Sequence, residues 1–227
     1  MIFKGGIHMK KIKNLIIFAL VTSCFTGCTA IKEEEVFMES QEFKEISQEE
    51  EEKALENYVT EFPDYEFTGI LDETVGDRHF AAEVTPANIV EDLVFHDYYY
   101  DIKGEYDKLS GIYGDNESLK ISASNEKKRF AEGAYMQEYI IHSLSTWMKE
   151  EFQNSEYIYK HLITRDILKY QFSKFAIVQV DMSMQWSEGA LKRGPQLGNG
   201  EYRRLFLCGK KSDDDKWRIY EIYWVDE

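Results

Sequence analysis

The sequence predicts an α+β fold in which N-terminal helices pack on an antiparallel sheet. Three observations carry this. A stripe of apolar residues at helical spacing follows Thr85-Pro86, apolar residues occupy alternate positions from Ala176 to Trp186, and two further strand-like runs, Tyr202–Cys208 and Trp217–Val225, are separated by a polar turn. With 227 residues, 43% of them hydrophobic and 15% aromatic, the chain has enough apolar material for one domain with extra segments, or at most two small ones. The formal charge of −15 argues against nucleic acid as a partner, because a surface of that sign repels phosphate backbones.

The amino terminus reads as an address. Met9-Lys10-Lys11-Ile12-Lys13-Asn14 is a basic segment, and Leu15 to Val21 is an apolar run that ends among small residues and cysteines. This is the pattern of a secretory signal peptide over residues 1–27, too short to remain as a membrane span, which needs about 20 apolar residues. Lys4-Gly5-Gly6 is what a purine-rich ribosome-binding sequence would encode, so Met1 and Met9 are both candidate starts. The four lysines of this stretch meet no acid there, so its removal leaves a chain of charge −19.

Two runs, Val21-Thr-Ser-Cys24 and Phe25-Thr-Gly-Cys28, resemble bacterial lipoprotein boxes. The resemblance implies that a cysteine thiol receives a diacylglycerol group and becomes the first residue of the mature chain. Cys28 is preferred, with Cys24 as the alternative, because Gly27 is the smaller neighbour and the apolar stretch before it is longer. Acyl chains at Cys28 would anchor the protein to the outer side of the cytoplasmic membrane without spanning it. Cys208, in the apolar run Leu205-Phe-Leu-Cys208, would then be the one cysteine of the folded part, a buried thiol with no disulfide partner.

Residues 28–56 hold eleven Glu against three Lys, including Glu49-Glu50-Glu51-Glu52, and form an acidic tether that self-repulsion extends and that an anionic leaflet repels. Glutamates at successive helical positions point around the axis and do not converge on a cation, so no metal site is expected there. The end of this block, Ala54 to Val59, already has helical character. Residues 57–84 are an uncertain lead-in, with a hairpin suggested around Val75-Gly-Asp77.

The principal domain covers residues 85–227. Thr85 as N-cap with Pro86 at the first helical position, then Ile89, Val90, Leu93, Val94, Tyr98 and Ile102 on one face, predict a helix over 86–103, stopped by Gly104. Short helices are expected at 107–113 and 125–131. Residues 135–145 read as a strand with Met136, Ile140 and Leu144 among its apolar positions, and 147–170 as helix broken near Asn154. Ala176, Val178, Val180, Met182, Met184 and Trp186 then alternate with Gln179, Asp181, Ser183 and Gln185, giving one buried and one polar face. The strands that follow complete a meander.

Helices followed by an antiparallel sheet that closes on Trp-Arg-Ile-Tyr-Glu-Ile-Tyr-Trp, Trp217 to Trp224, resemble the nuclear-transport-factor-2-like fold. The whole chain resembles lipoproteins of Gram-positive bacteria that carry such a domain behind an acidic tether. The resemblance implies a curved sheet wrapped around a conical cavity and capped by helices. It carries no catalytic motif, so it implies architecture and almost nothing about activity.

Candidate chemistry is sparse. The 86–103 helix would be the lid, bearing His96, Asp97 and Tyr98-Tyr99-Tyr100. Consecutive helical residues diverge by about 100°, so the three tyrosines cannot line one pocket. Tyr98 is expected in the core with its hydroxyl at a wet edge, and His96 and Asp97 on the solvated lid surface. Asp181 is expected on the outer sheet face. That face, with Phe175 and Ile177 available to bury, is a candidate homodimer surface. Gly194 to Gly200 lacks the helix that receives a phosphate, Asp213-Asp-Asp215 lacks the rest of a calcium loop, and His96, His142 and His161 lack zinc spacing. No catalytic residue, metal or cofactor is therefore expected. The reading is a membrane-anchored extracytoplasmic binding or scaffolding module for an unknown protein or small ligand. The alternatives are an isomerase- or lyase-type enzyme using the cone through His96 or Tyr98, and a subunit of an envelope or secretion assembly.

Overall fold

The computed structural model describes residues 46–195 and 197–225. The signal segment, Cys24, Cys28 and the tether as far as residue 45 lie outside the described residues. The elements are, in order, α1 (Gln48–Ala54) continued by a 3-10 turn at Leu55–Asn57, β1 (Asp72–Val75), β2 (Arg78–Ala82), α2 (Ile89–Lys103), α3 (Tyr106–Ile112), α4 (Glu117–Ala131), β3 (Met136–Thr146), α5 (Lys149–Asn154), α6 (Tyr157–Tyr170), β4 (Lys174–Trp186), α7 (Glu188–Leu191), β5 (Gly200–Lys210) and β6 (Arg218–Val225). The six strands form one sheet in chain order, every neighbouring pair antiparallel except β2 and β3, which are parallel.

Local chemistry sets the boundaries. α2 starts at Ile89 and not at Pro86, because Asn88 is the cap: its side-chain oxygen accepts from the backbone N–H groups of Val90 and Glu91. Glu91 folds back to accept from the Ala87 backbone N–H at 2.8 Å and from the Asn88 side-chain NH2 at 3.1 Å, which braces the cap. Gly104, at φ +70°, ends the helix in the left-handed conformation. α4 runs from Glu117, eight residues earlier than its expected start at 125, because Asn116 caps it through the Leu119 N–H. Ala123 is its one buried residue, so no apolar stripe advertises it. In β3 two register shifts, at Met136/Glu138 and Ile141/Ser143, turn Tyr139 and Ile141 inward in place of Ile140.

Both faces of β4 are covered. Ala176, Val178, Val180, Met182 and Met184 join Phe80, Val94, Tyr98, Ile102, Tyr139, Phe206 and Cys208 in a core beneath α2, α3 and α4. On the opposite face Phe175 and Ile177 meet Leu205 and Leu207 and are covered by Leu55, Phe152, Ile163, Ile167 and Tyr170. This corrects the expectation that Phe175 and Ile177 stand ready for a second subunit: both are 0% exposed, buried by α6 and by the chain leading out of α1. Tyr58 bridges to Phe175, and the Val59 N–H donates to its carbonyl at 2.8 Å. The last part of the acidic block thus belongs to the fold, with Ala54 and Leu55 in the core. Beyond the reach of α6 the same face is polar: Asp181 accepts from Arg203 at 2.6 Å and from Ser143 at 2.7 Å, and Gln179 from the Trp147 indole at 3.1 Å. Among the described residues no helix is long and apolar enough to cross a membrane.

Candidate functional site

A groove of about 580 Å³ opens beside α2. α2 supplies Ile89, Asp92, Leu93, His96 and Tyr100, which recur every three or four residues and so share one side of the helix. α3 supplies Lys108, Gly111 and Ile112, and the end of the β5–β6 turn supplies Asp215 to Arg218. The Arg218 guanidinium donates to the Gly111 carbonyl and ties the turn to α3. Trp217 packs against Phe62, 5.8 Å between ring centroids. Apolar walls with a few polar groups, at this volume, are what small-molecule sites share.

His96 is the best-positioned polar group in the groove. Its Nδ1 lies 2.8 Å from the Asp92 carbonyl oxygen and 3.2 Å from Asp92 Oδ1. A carbonyl can only accept, so Nδ1 carries the proton and, in the neutral ring, Nε2 keeps its lone pair. Burial works against a charge on this ring, but the hydrogen bonds to the Asp92 carboxylate and carbonyl outweigh it and raise the imidazole above its ordinary value. Tyr100 packs against the ring at 4.9 Å, and the Lys108 ammonium stands 5.5 Å from the Tyr100 ring centre and 2.9 Å from Glu105. The arrangement can grip a ligand between Trp217 and Tyr100 and hydrogen-bond it through His96 Nε2.

The three tyrosines do diverge. Tyr100 lines the groove, Tyr99 donates to Glu73 of β1 at 2.5 Å, and Tyr98 points into the sheet core. Tyr98 differs from expectation in one respect: its hydroxyl is buried and makes no hydrogen bond within the described structure, instead of reaching a wet edge. Asp97 also departs from expectation. It is 7% exposed on the sheet-facing side of α2, where Tyr113 donates to it, because α3 and its end fold over what would otherwise be a lid surface. His142 accompanies Ser183 and Glu83 on the polar sheet face, and His161 is buried on α6. Among the described residues no cluster of His, Cys, Asp or Glu is arranged to hold a metal ion. Cys208 is buried, and burial raises its thiol far above the reactive range.

Asp92, Lys108 and Trp217 escaped the sequence reading. The i,i+4 spacing of Asp92 and His96 was a usable signal. The approach of Trp217 and Arg218 from the far end of the chain was not. Fold and groove together define an α+β domain with an open amphipathic cleft beside its principal helix. No protein-family model, curated protein or solved structure matches the chain.

Proposed function

We propose that this chain is a lipid-anchored extracytoplasmic binding module of nuclear-transport-factor-2-like architecture, and that its ligand is a small molecule held in the groove beside α2. The element order supports the architecture: a hairpin, three helices over one sheet face, then a four-stranded meander. The basic and apolar N-terminal segments and the box ending in Cys28 support the anchor. The observation that carries the ligand reading is the free Nε2 of His96, with Nδ1 fixed by Asp92, in a cleft walled by Trp217, Tyr100 and Leu93.

Two measurements test this reading. Intact mass and detergent-phase partitioning of the mature protein should give a diacylated chain beginning at Cys28, and Cys28→Ser should move it to the aqueous phase. Membrane retention by a variant with serine at both positions 24 and 28 refutes the anchor. Ligand-observed NMR with a panel of small aromatic acids and amines should yield binders that Trp217→Ala and His96→Gln both abolish without changing the melting temperature. Hits indifferent to both variants refute the groove. The Asp92–His96 pair also favours a second reading, an enzyme whose general base is His96 Nε2. That reading requires turnover of a bound compound with a pH profile that follows His96.

A further inference from the structure

On the sheet-facing flank of α2, beside the face that lines the groove, Asp97 and Asp101 sit one helical turn apart, 7% and 9% exposed. Every element packed there contributes a polar group. They are Tyr98 from α2 itself, Tyr106 from α3 with Tyr113 at its end, Glu126 from α4, Arg78 from β2, Tyr139 from β3, and Arg204 and Cys208 from β5. Tyr113 donates to Asp97 at 2.7 Å and Tyr139 to Asp101 at 3.2 Å. Three carboxyl groups therefore stand among three guanidinium groups, Arg78, Arg204 and, at Glu126, Arg129. One of these, Arg78, directs an N–H to the Asp101 main-chain carbonyl at 2.8 Å. Glu126 meets Arg129 at 2.9 Å on its outer side. The hydroxyls of Tyr98 and Tyr106 are buried beside the guanidinium groups of Arg204 and Arg78, outside good hydrogen-bond geometry, as is Nε of Arg204.

α4 is held lightly over this layer. Of its residues only Ala123 is buried, and Phe130 near its end lies under the Arg78 guanidinium at 4.2 Å. Gly133, at φ +75°, follows it, while at its start the Gly114 N–H and the Asn116 side chain donate to the Ile219 and Tyr220 carbonyls and fix that end as the pivot. An element with so little buried apolar surface opens at low free energy without the sheet unfolding.

We propose that protons on Asp97, Asp101 and Glu126 hold α4 down against α2, and that their loss lets α4 lift from the sheet as a hinged lid. Ionised, Asp101 of α2 and Glu126 of α4 repel in a low dielectric, and protonation of either removes that repulsion. The titration of these groups agrees. Burial raises Asp97 to about 6, against the hydrogen bond from Tyr113 and the charge of Arg204. Burial raises Asp101 to about 7, with Glu126 adding to the effect. Burial also raises Glu126, with Arg129 and Arg204 opposing. The Cys208 thiol stays neutral throughout because burial raises it far out of this range. Acids whose pKa is higher when closed than when exposed stabilise the closed form fully below the exposed value, about 4, and that stability is lost as pH rises through 6 to 7.

Hydrogen exchange of the full chain at about pH 5.5 and pH 8, corrected for intrinsic rates, tests the lid. Protection of the α4 amides should fall at least about tenfold, the equivalent of one pKa unit, between the two conditions, while β4 and β5 stay protected. Asp101→Asn should flatten this difference. Glu126→Gln should do the same from a position whose side chain is 20% exposed, where the substitution leaves the core intact. Equal α4 protection at both pH values overturns the proposal. So does an undiminished difference in either variant, or a loss shared by β4, which would signal global destabilisation.

Discussion

The Tyr113 hydroxyl donates to Asp97 Oδ1 at 2.7 Å with both residues buried, so the end of α3 is tied to the middle of α2 by a bond that water does not reach. Tyr113→Phe keeps the ring and removes the donor. At pH 8, where Asp97 is ionised, the variant is expected to lose about 1–3 kcal/mol of unfolding free energy in urea titrations. At pH 5 the carboxyl is neutral and the loss should be smaller.

Asp101→Asn is expected to stabilise the protein where most core substitutions destabilise it. Burial raises the Asp101 carboxyl to about 7, so the native state resists its ionisation and loses stability between the unfolded value near 4 and about 7. The amide removes that loss while still accepting from Tyr139. Urea unfolding should show a gain of about 1–3 kcal/mol at pH 8 and little change at pH 4.

Leu55 is 3% exposed in the turn that follows α1, against the sheet face opposite α2. Leu55→Ala should cost about 2–4 kcal/mol, read by thermal or urea unfolding. Replacing Ala54, Leu55 and Tyr58 together with serine uncovers Phe175 and Ile177. The measurable outcome is self-association in sedimentation velocity, absent from the parent chain.

Asp92→Asn should lower the titration midpoint of His96 toward the ordinary histidine value, because the carboxylate hydrogen bond is the strongest support for the charged ring. Nitrogen-15 shifts of the imidazole read it directly. The sign for stability follows: with His96 raised in the native state, its contribution is complete below the unfolded value near 6.5 and disappears as pH rises through the folded one. The parent should therefore lose stability relative to Asp92→Asn across that window.

The alternation from Val178 to Trp186 made β4 legible, and the meander with it. What misled was Phe175-Ala176-Ile177-Val178, an unbroken apolar run of the kind a strand shows when both faces are covered. Read as part of the alternation, it suggested one polar face and a free surface. Thr85-Pro86 is a sound local signal for a helix start, but the cap is Asn88, which accepts from the Glu91 N–H and donates its side-chain NH2 to the Glu91 carboxylate. α4 was half missed because a helix that buries only Ala123 has no period to read. The groove needed Asp92 and His96 from α2, Lys108 from α3 and Trp217 from the far end of the chain, a juxtaposition that only the folded chain supplies.

The parallel pairing of β2 with β3 joins strands separated by residues 83–135, with all of α2, α3 and α4 in between. The other strand pairs are joined by turns or by shorter excursions, the longest of which, between β3 and β4, carries α5 and α6. Closing the long excursion forfeits the most chain entropy of any step in assembling the sheet. The β3–β6 ribbon therefore has the kinetic head start, and the β1–β2 hairpin docks last. Under mechanical load transmitted from the N-terminal side, that hairpin is the margin from which the sheet unzips first.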